Sequence, residues 1–172
     1  MLFRSVLRTH RLSKTFRVGI RRKVLRAVDE LDLEVMPGEI YGFLGPNGAG
    51  KSTAIKMLMG LIFPTSGHAE IFGARVPSSA ARARIGYLPE NPYFSDILTP
   101  TELLWFAGRL CGLPASVLEE RVPRLLHLVG LERAERLPLR RFSKGMVQRA
   151  GIAQALINDP ALVVLEIGRA HV

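Results

Sequence analysis

Nine consecutive residues could do chemistry together: Gly45, Pro46, Asn47, Gly48, Ala49, Gly50, Lys51, Ser52 and Thr53. The first eight fit the spacing G-x-x-x-x-G-K-[ST]. Glycines let the backbone curl so that successive N–H groups point into one concavity, where a helix N-terminus can hold phosphate oxygens. In such a loop Lys51 supplies a point charge to β- and γ-phosphates, and the Ser52 hydroxyl is placed to ligate Mg²⁺. The segment is not a G-x-G-x-x-G dinucleotide fingerprint, because Asn47 stands where the second glycine would be. A phosphate loop by itself leaves kinases, GTPases and many ATPases open.

The motif needs a strand before it and a helix after it. "EIYGFLG" from Glu39 reads as a short apolar strand running into the glycines, and "KSTAIKMLMGL" places Ile55, Leu58 and Met59 at helical spacing before Gly60 and Pro64. Upstream, "LDLEV" (Leu31 to Val35) alternates as a half-buried strand and Pro37-Gly38 marks a turn. Downstream come a turn at "PTSG", a strand at "HAEIFG", and another at "RIGYL" stopped by Pro89. Helical periodicity runs from Thr99 to about Leu110 and from Ser116 to Val129, with Pro123 predicting a kink or split in the second. A last helix is expected from Ser143 to Leu156, then the breaker Asp159-Pro160, then the apolar run Leu162 to Leu165, which reads as a buried strand. Strands alternating with helices imply an α/β fold, and adjacent helices in its middle imply a helical insertion.

"RFSKGMVQRAGIAQALINDPALVVL", read together with the phosphate loop, resembles the nucleotide-binding domain of the ATP-binding cassette (ABC) transporters. That family combines a phosphate loop, a glutamine loop, a signature beginning L-S-G-G-Q, and an apolar strand ending in aspartate and glutamate. "FSKGM" keeps the serine and second glycine as Ser143 and Gly145 and departs at Phe142, Lys144 and Met146, a variant that looks like bacterial exporters whose ATPase is a separate chain. The resemblance covers about Leu7 to Leu165. It implies a P-loop NTPase fold with a mostly parallel sheet, N-terminal antiparallel strands and a helical subdomain over about 91–145, all within one incomplete domain spanning 1–165. ATP and Mg²⁺ are the implied cofactors.

Residue roles follow from the same resemblance. Phe16 in "SKTFR" sits where the family stacks an aromatic on adenine, or it is an ordinary core phenylalanine. Glu90 in "GYLPEN" replaces the loop glutamine and either approaches Mg²⁺ and the attacking water or is a solvated carboxylate. Ser143 and Gly145 are implied to meet the γ-phosphate held by a second ABC domain, identical or different; Ser143 also reads as a simple helix cap. Tyr93, Phe94 and Trp105 are candidates either for contact with a membrane permease subunit or for the helical core. Glu166 takes the place of the expected Mg²⁺-coordinating aspartate, and Ile167 that of the water-polarising glutamate.

Composition narrows the alternatives. With 172 residues, 48% apolar and 23% charged, the chain can bury a sizeable core. No run reaches the length of a membrane helix and no signal peptide is evident, so a cytoplasmic chain is expected, and the family resemblance implies peripheral binding at the cytoplasmic face of the plasma membrane. Cys111 is the only cysteine and the four histidines show no ligand spacing, so any metal is expected to be oxygen-bound. The net charge of +9 comes mostly from dispersed arginines without interleaved aromatics, and no nucleic acid is expected as a partner. Rival readings are a soluble ABC ATPase acting on ribosomes or DNA, and a non-functional fragment.

The ending "EIGRAHV" has neither cap nor periodicity. Back-translated as GAG ATC GGA AGA GCA CAC GTC, it spells a sequencing adapter beginning AGATCGG, so 166–172 are expected to be a non-native tail. His171 is then no counterpart of the family's γ-phosphate-sensing histidine. The strand that bears that histidine in the family lies between the phosphate-loop strand and the "LVVL" strand. Without it both strands are expected to expose unpaired edges and apolar side chains.

Overall fold

A computed structural model describes residues 5–19 and 23–167. They form two compact units, one ending at Arg82 and the other starting at Ala83. Residues 168–172, most of the expected non-native tail, lie outside the described residues; Glu166 and Ile167 lie within them.

The first unit is built on strands β1 (Leu7–Val18), β2 (Lys23–Val35), β3 (Ser66–Ile71) and β4 (Ala74–Arg75), in the sheet order β2-β1-β3-β4 with every neighbour antiparallel. Period-2 alternation sorts its faces: Leu7, Thr9, Ala69 and Ile71 are buried, whereas Arg8 is exposed and His10, His68 and Glu70 are half-buried. The buried Thr9 hydroxyl donates to the Leu31 carbonyl at 2.8 Å. The β1–β2 ladder bulges where Arg11 and Glu30 both take φ of 45°, and the Glu30 amide donates to Ser13 Oγ at 2.8 Å to close the gap. Helix α1 (Lys51–Leu58) buries Ala54, Met57 and Leu58, and α2 (Ser79–Arg82) is a single turn. The "LDLEV" strand is therefore the end of a much longer β2. Ser66 and Gly67, expected in a turn, already pair within β3.

One expected element is missing. Residues 39–46 carry no strand: the backbone finds no ladder partner among the described residues, and Ile40 and Leu44 are 100% and 92% exposed. An apolar run becomes a strand only where a neighbour accepts its N–H and C=O groups.

The second unit contains β5 (Ile85–Leu88), α3 (Pro100–Leu110), α4 (Ala115–Leu128), α5 (Lys144–Ala155) and β6 (Leu162–Leu165), with 3-10 turns at Glu132–Ala134 and Leu139–Arg141. Strands β5 and β6 pair in parallel, Ile85 opposite Leu162 through Leu88 opposite Leu165. Parallel pairing among the described residues is confined to these two strands, so the α/β fold shows less parallel sheet than expected. Thr99 starts α3 with a complete capping box: its hydroxyl accepts from the Glu102 amide while Glu102 accepts from the Thr99 amide. Helix α4 stays one element through Pro123, where a kink or split was expected. One core joins Leu103, Leu104, Leu118, Val122, Leu126 and Leu131 to Ala150, Ala153 and Ile157, so the inserted helices share their core with α5. Contrary to a buried-strand reading, Val163 and Leu165 on β6 are 39% and 38% exposed, because β5 is the only strand beside β6 among the described residues. None of the described helices is long and apolar enough to cross a membrane.

Candidate functional site

The phosphate-loop segment turns directly into α1. Gly48 and Gly50 take φ of 82° and 85°, conformations that other residues enter at a cost, and the Ala49 amide closes the turn on the Pro46 carbonyl at 3.2 Å. Gly50 is doubly constrained, because a Cβ there would run into the Ala27 carbonyl oxygen of β2. The loop is thereby pressed against a rigid strand. Gly50 is the N-cap of α1 and supplies no side-chain hydrogen bond, and no acidic residue occupies the first turn. The leading amides of a helix have no intrahelical acceptor, so those of Lys51, Ser52 and Thr53 are oriented donors. Lys51 Nζ reaches back across the loop and donates to the carbonyls of Gly45 at 2.7 Å and Pro46 at 2.8 Å. Pro46 through Ala49 are exposed, and Ser52 and Thr53 are half-buried. Oriented amides, an ammonium group and two hydroxyls at one place are the kind of donor set that would suit a polyanion.

Beside this loop lies a cleft of about 390 Å³ lined by Arg26, Val28, Asp29, Phe43, Gly50 and Ala54, among others. Phe16 is not part of that lining. It sits on β1 opposite Leu25, half-buried, with Lys14 Nζ 5.2 Å from its ring centroid. Phe43 is the aromatic that the structure places in the cleft, and nothing in the local pattern singled it out.

The remaining sequence candidates belong to the second unit. Glu90 is exposed in the loop after β5, and its main-chain carbonyl accepts from Gln148 Nε2 at 3.4 Å. Ser143 is the N-cap of α5, its hydroxyl accepting from the Met146 amide at 3.3 Å. Ser143, Lys144 and Gly145 are all exposed, no acidic residue lies in the first turn, and nothing comes within 4 Å of where a Gly145 Cβ would be. Glu166 follows β6: its amide donates to the Leu88 carbonyl at 2.9 Å, and its carboxylate accepts from the Tyr87 hydroxyl at 3.1 Å. Burial first, then the Glu166 charge and hydrogen bond, push the Tyr87 phenol up to about 12. Ile167 is 81% exposed and offers no ligand or base.

Of the aromatics considered for a partner surface, Tyr93 is fully exposed, whereas Phe94 and Trp105 pack against the helical core. Sequence reading also missed a cluster in the first unit. His10, His68 and Glu70 each present a ligand atom within 4.8 Å of the others. The one local signal was the alternation of His68 and Glu70 on a single strand face; His10 joins them only through strand register.

An α/β chain with a glycine-rich loop opening a helix beneath oriented amides defines the P-loop NTPase class. Residues 28–166 match the family described as ABC transporter, and the chain belongs to that family. It is 46% identical over 166 residues to an uncharacterised ABC transporter ATP-binding protein of Nostoc sp., covering 94% of this chain and 49% of that protein. It is 43% identical over 141 residues to Nod factor export ATP-binding protein I of Cupriavidus metallidurans, covering 81% and 46%. The fold superposes on a solved ATP-binding subunit of an ABC transporter with a TM-score of 0.80 and 32% identity, covering 94% of this chain and 65% of that one. A dimeric bacterial ABC transporter cassette gives a TM-score of 0.83 at 24% identity, covering 92% and 72%, a likeness of fold. The chain spans about half the length of the curated relatives it matches.

Proposed function

We propose that this chain is ATP-binding machinery of an ABC transporter, coupling MgATP binding and hydrolysis to transport through a separate membrane permease. The observation that carries this reading is the loop from Gly45 to Thr53, which brings the uncapped start of α1 and the Lys51 ammonium to one place. A triphosphate suits the leading amides of α1 and the Lys51 ammonium, which are donors without an acidic side chain in the first turn. Lys51 would exchange loop carbonyls for β- and γ-phosphate oxygens. Ser52 would give Mg²⁺ one oxygen, the phosphates supplying others, and the ion would spread the charge on them. Phe16 is retained as a candidate for the adenine, with Phe43 beside the loop as its rival.

Residues through 165 are taken as one cassette with 91–145 as its helical subdomain. Ser143 and Gly145 act across an interface, meeting the γ-phosphate of a second cassette, identical or not. The exposure of both residues and the lack of a first-turn acid support this role. Glu90 and Glu166 are the carboxylates assigned to metal and water. Glu166 already accepts a hydrogen bond from Tyr87, and Ile167 has no group to polarise water, so this chain is expected to bind nucleotide with little turnover. Nod factor export and bacitracin transport appear in the names of its relatives, and a permease partner is proposed on that basis. Tyr93 and Ile97, together with Phe106 and Leu110 one turn apart on α3, are the exposed apolar side chains offered to the permease.

Calorimetric titration with MgATP tests the reading. The wild type should bind saturably, and Lys51→Ala should bind about 10- to 100-fold more weakly, the loss of charge-assisted hydrogen bonds worth about 1.5–3 kcal/mol. Absent binding, or an unaltered Lys51→Ala isotherm, would overturn it.

A further inference from the structure

We propose that His10, His68 and Glu70 form a Zn²⁺ site on the outer face of the antiparallel sheet, distinct from the nucleotide loop and from its Mg²⁺. Strand register creates the site. β1 and β3 align Leu7 with Ile71, Arg8 with Glu70, Thr9 with Ala69 and His10 with His68, so the two imidazoles stand directly opposite each other. Glu70 lies two residues beyond His68 and therefore on the same face. Residues of the other parity, Leu7, Thr9, Ala69 and Ile71, are buried, which leaves this face half-buried and open to an ion.

The three side chains lie close enough for one ion to draw them together. The imidazole centroids are 4.6 Å apart with 23° between planes, and His68 Nε2 is 3.6 Å from Glu70 Oε1. All three ligand atoms fall within 4.8 Å of one another. Tetrahedral Zn²⁺ with bonds of about 2.0–2.1 Å holds its ligand atoms about 3.3 Å apart. Side-chain rotations must close the longest separation by about 1.5 Å and turn the stacked rings so that their lone pairs converge on the ion.

The backbone is held in place. Gly67, with φ of 73°, lies so close to β1 that a Cβ would strike the carbonyl oxygens of His10 and Arg11. The contact pins β3 against β1 immediately beside both histidines. Two imidazoles and one carboxylate suit a borderline cation such as Zn²⁺, with water completing the shell, and suit Mg²⁺ poorly. Opposing charges lie nearby. Arg8 and Arg75 flank Glu70 in register, although Arg8 is also 4.0 Å from Glu34. Binding in the micromolar range is therefore expected, with the metal acting as a clip between β1 and β3.

The test is titration of the tag-free full chain with ZnCl₂, without nucleotide, followed by calorimetry and by thermal midpoint. One Zn²⁺ should bind per chain and raise the midpoint. His10→Phe and His68→Phe keep a ring in the stack and remove a ligand, so each should weaken binding at least about tenfold. Glu70→Gln should weaken it by a smaller factor, and Cys111→Ser should leave it unchanged. The proposal fails if no saturable 1:1 binding appears by about 100 µM Zn²⁺, a free energy no better than about −5.5 kcal/mol. It also fails if Phe variants with wild-type circular dichroism bind as tightly as wild type, or if Cys111→Ser abolishes binding.

Discussion

Gly145→Ala separates a glycine kept for the fold from one kept for a ligand. Gly145 is the second residue of α5, its φ is not among the positive values, and an added Cβ would meet no atom within 4 Å. By contrast, a Cβ at Gly108 would collide with Leu118 and one at Gly151 with Leu88. Alanine loses less backbone entropy than glycine on entering a helix, a difference of roughly 0.5–1 kcal/mol in favour of the variant. For a chain of this size that is a rise of about 1–4 °C in melting midpoint. Under the proposed function the same methyl group faces a second cassette's γ-phosphate and holds the helix start away from it. Gly145→Ala should thus be more stable than wild type and yet lose ATP-driven self-association by about tenfold or more, the equivalent of one lost hydrogen bond to a charged group. Urea unfolding gives the first quantity and sedimentation equilibrium with and without ATP gives the second. A drop in stability above about 1 kcal/mol would show that the glycine is structural. Higher stability with undiminished association would refute the role of this helix in phosphate recognition.

Two further substitutions bear on the loop and on the end of β5. Gly50→Ala combines a left-handed φ with a collision against the Ala27 carbonyl, so its cost in urea unfolding should exceed the roughly 1–2 kcal/mol of strain alone. Gly48→Ala, at φ 82° with open space around it, should cost that strain and no more. The Tyr87 phenol, ordinarily near 10 and pushed up to about 12 in the fold, keeps its proton where the unfolded chain has lost it. Its contribution to stability is intact below about pH 10 and disappears as the pH rises through about 12, so wild type should lose stability relative to Tyr87→Phe over that window. Two units correspond to about 2.7 kcal/mol, and solvent screening of this half-buried ring reduces the expected loss to about 1 kcal/mol. Parallel pH profiles for the two proteins would refute the assignment.

What the sequence disclosed was whatever depends on neighbours in the chain. Gly48, Gly50 and Lys51 act within one turn and were readable as a phosphate loop, and Thr99 with Glu102 and Ser143 with Met146 mark helix starts through contacts three residues away. Pairing between distant segments was less legible. Residues 39–46 have the composition of a strand and no partner among the described residues, whereas β1 runs through charged and bulged positions such as Arg11 and is paired on both sides. Propensity describes fitness for a pleated surface, and only a neighbouring strand supplies that surface. The same limit hid His10 from His68. Pro123 does not split α4, because Leu118, Val122, Leu125 and Leu126 bury one face of the helix on both sides of it.

The helix starts themselves help to separate structure from recognition. α3 is closed: Thr99 and Glu102 satisfy each other, and the Glu102 carboxyl is held below its ordinary range by the Thr99 backbone amide and then its hydroxyl. A negative side chain there would repel any phosphate. α1 has neither a side-chain cap nor an acid, and α5 has a serine cap and no acid. An open start is not sufficient, because α4 also lacks a cap hydrogen bond and a first-turn acid, and its Pro114 carbonyl accepts from the Val117 and Leu118 amides. What distinguishes α1 is convergence. A left-handed glycine precedes it, an ammonium group folds over it, and hydroxyl residues at 52 and 53 stand in its first turn. Together they gather donors at a helix start whose first turn carries no acidic side chain. A ligand bearing several negative oxygens would suit that start, as the proposed function requires.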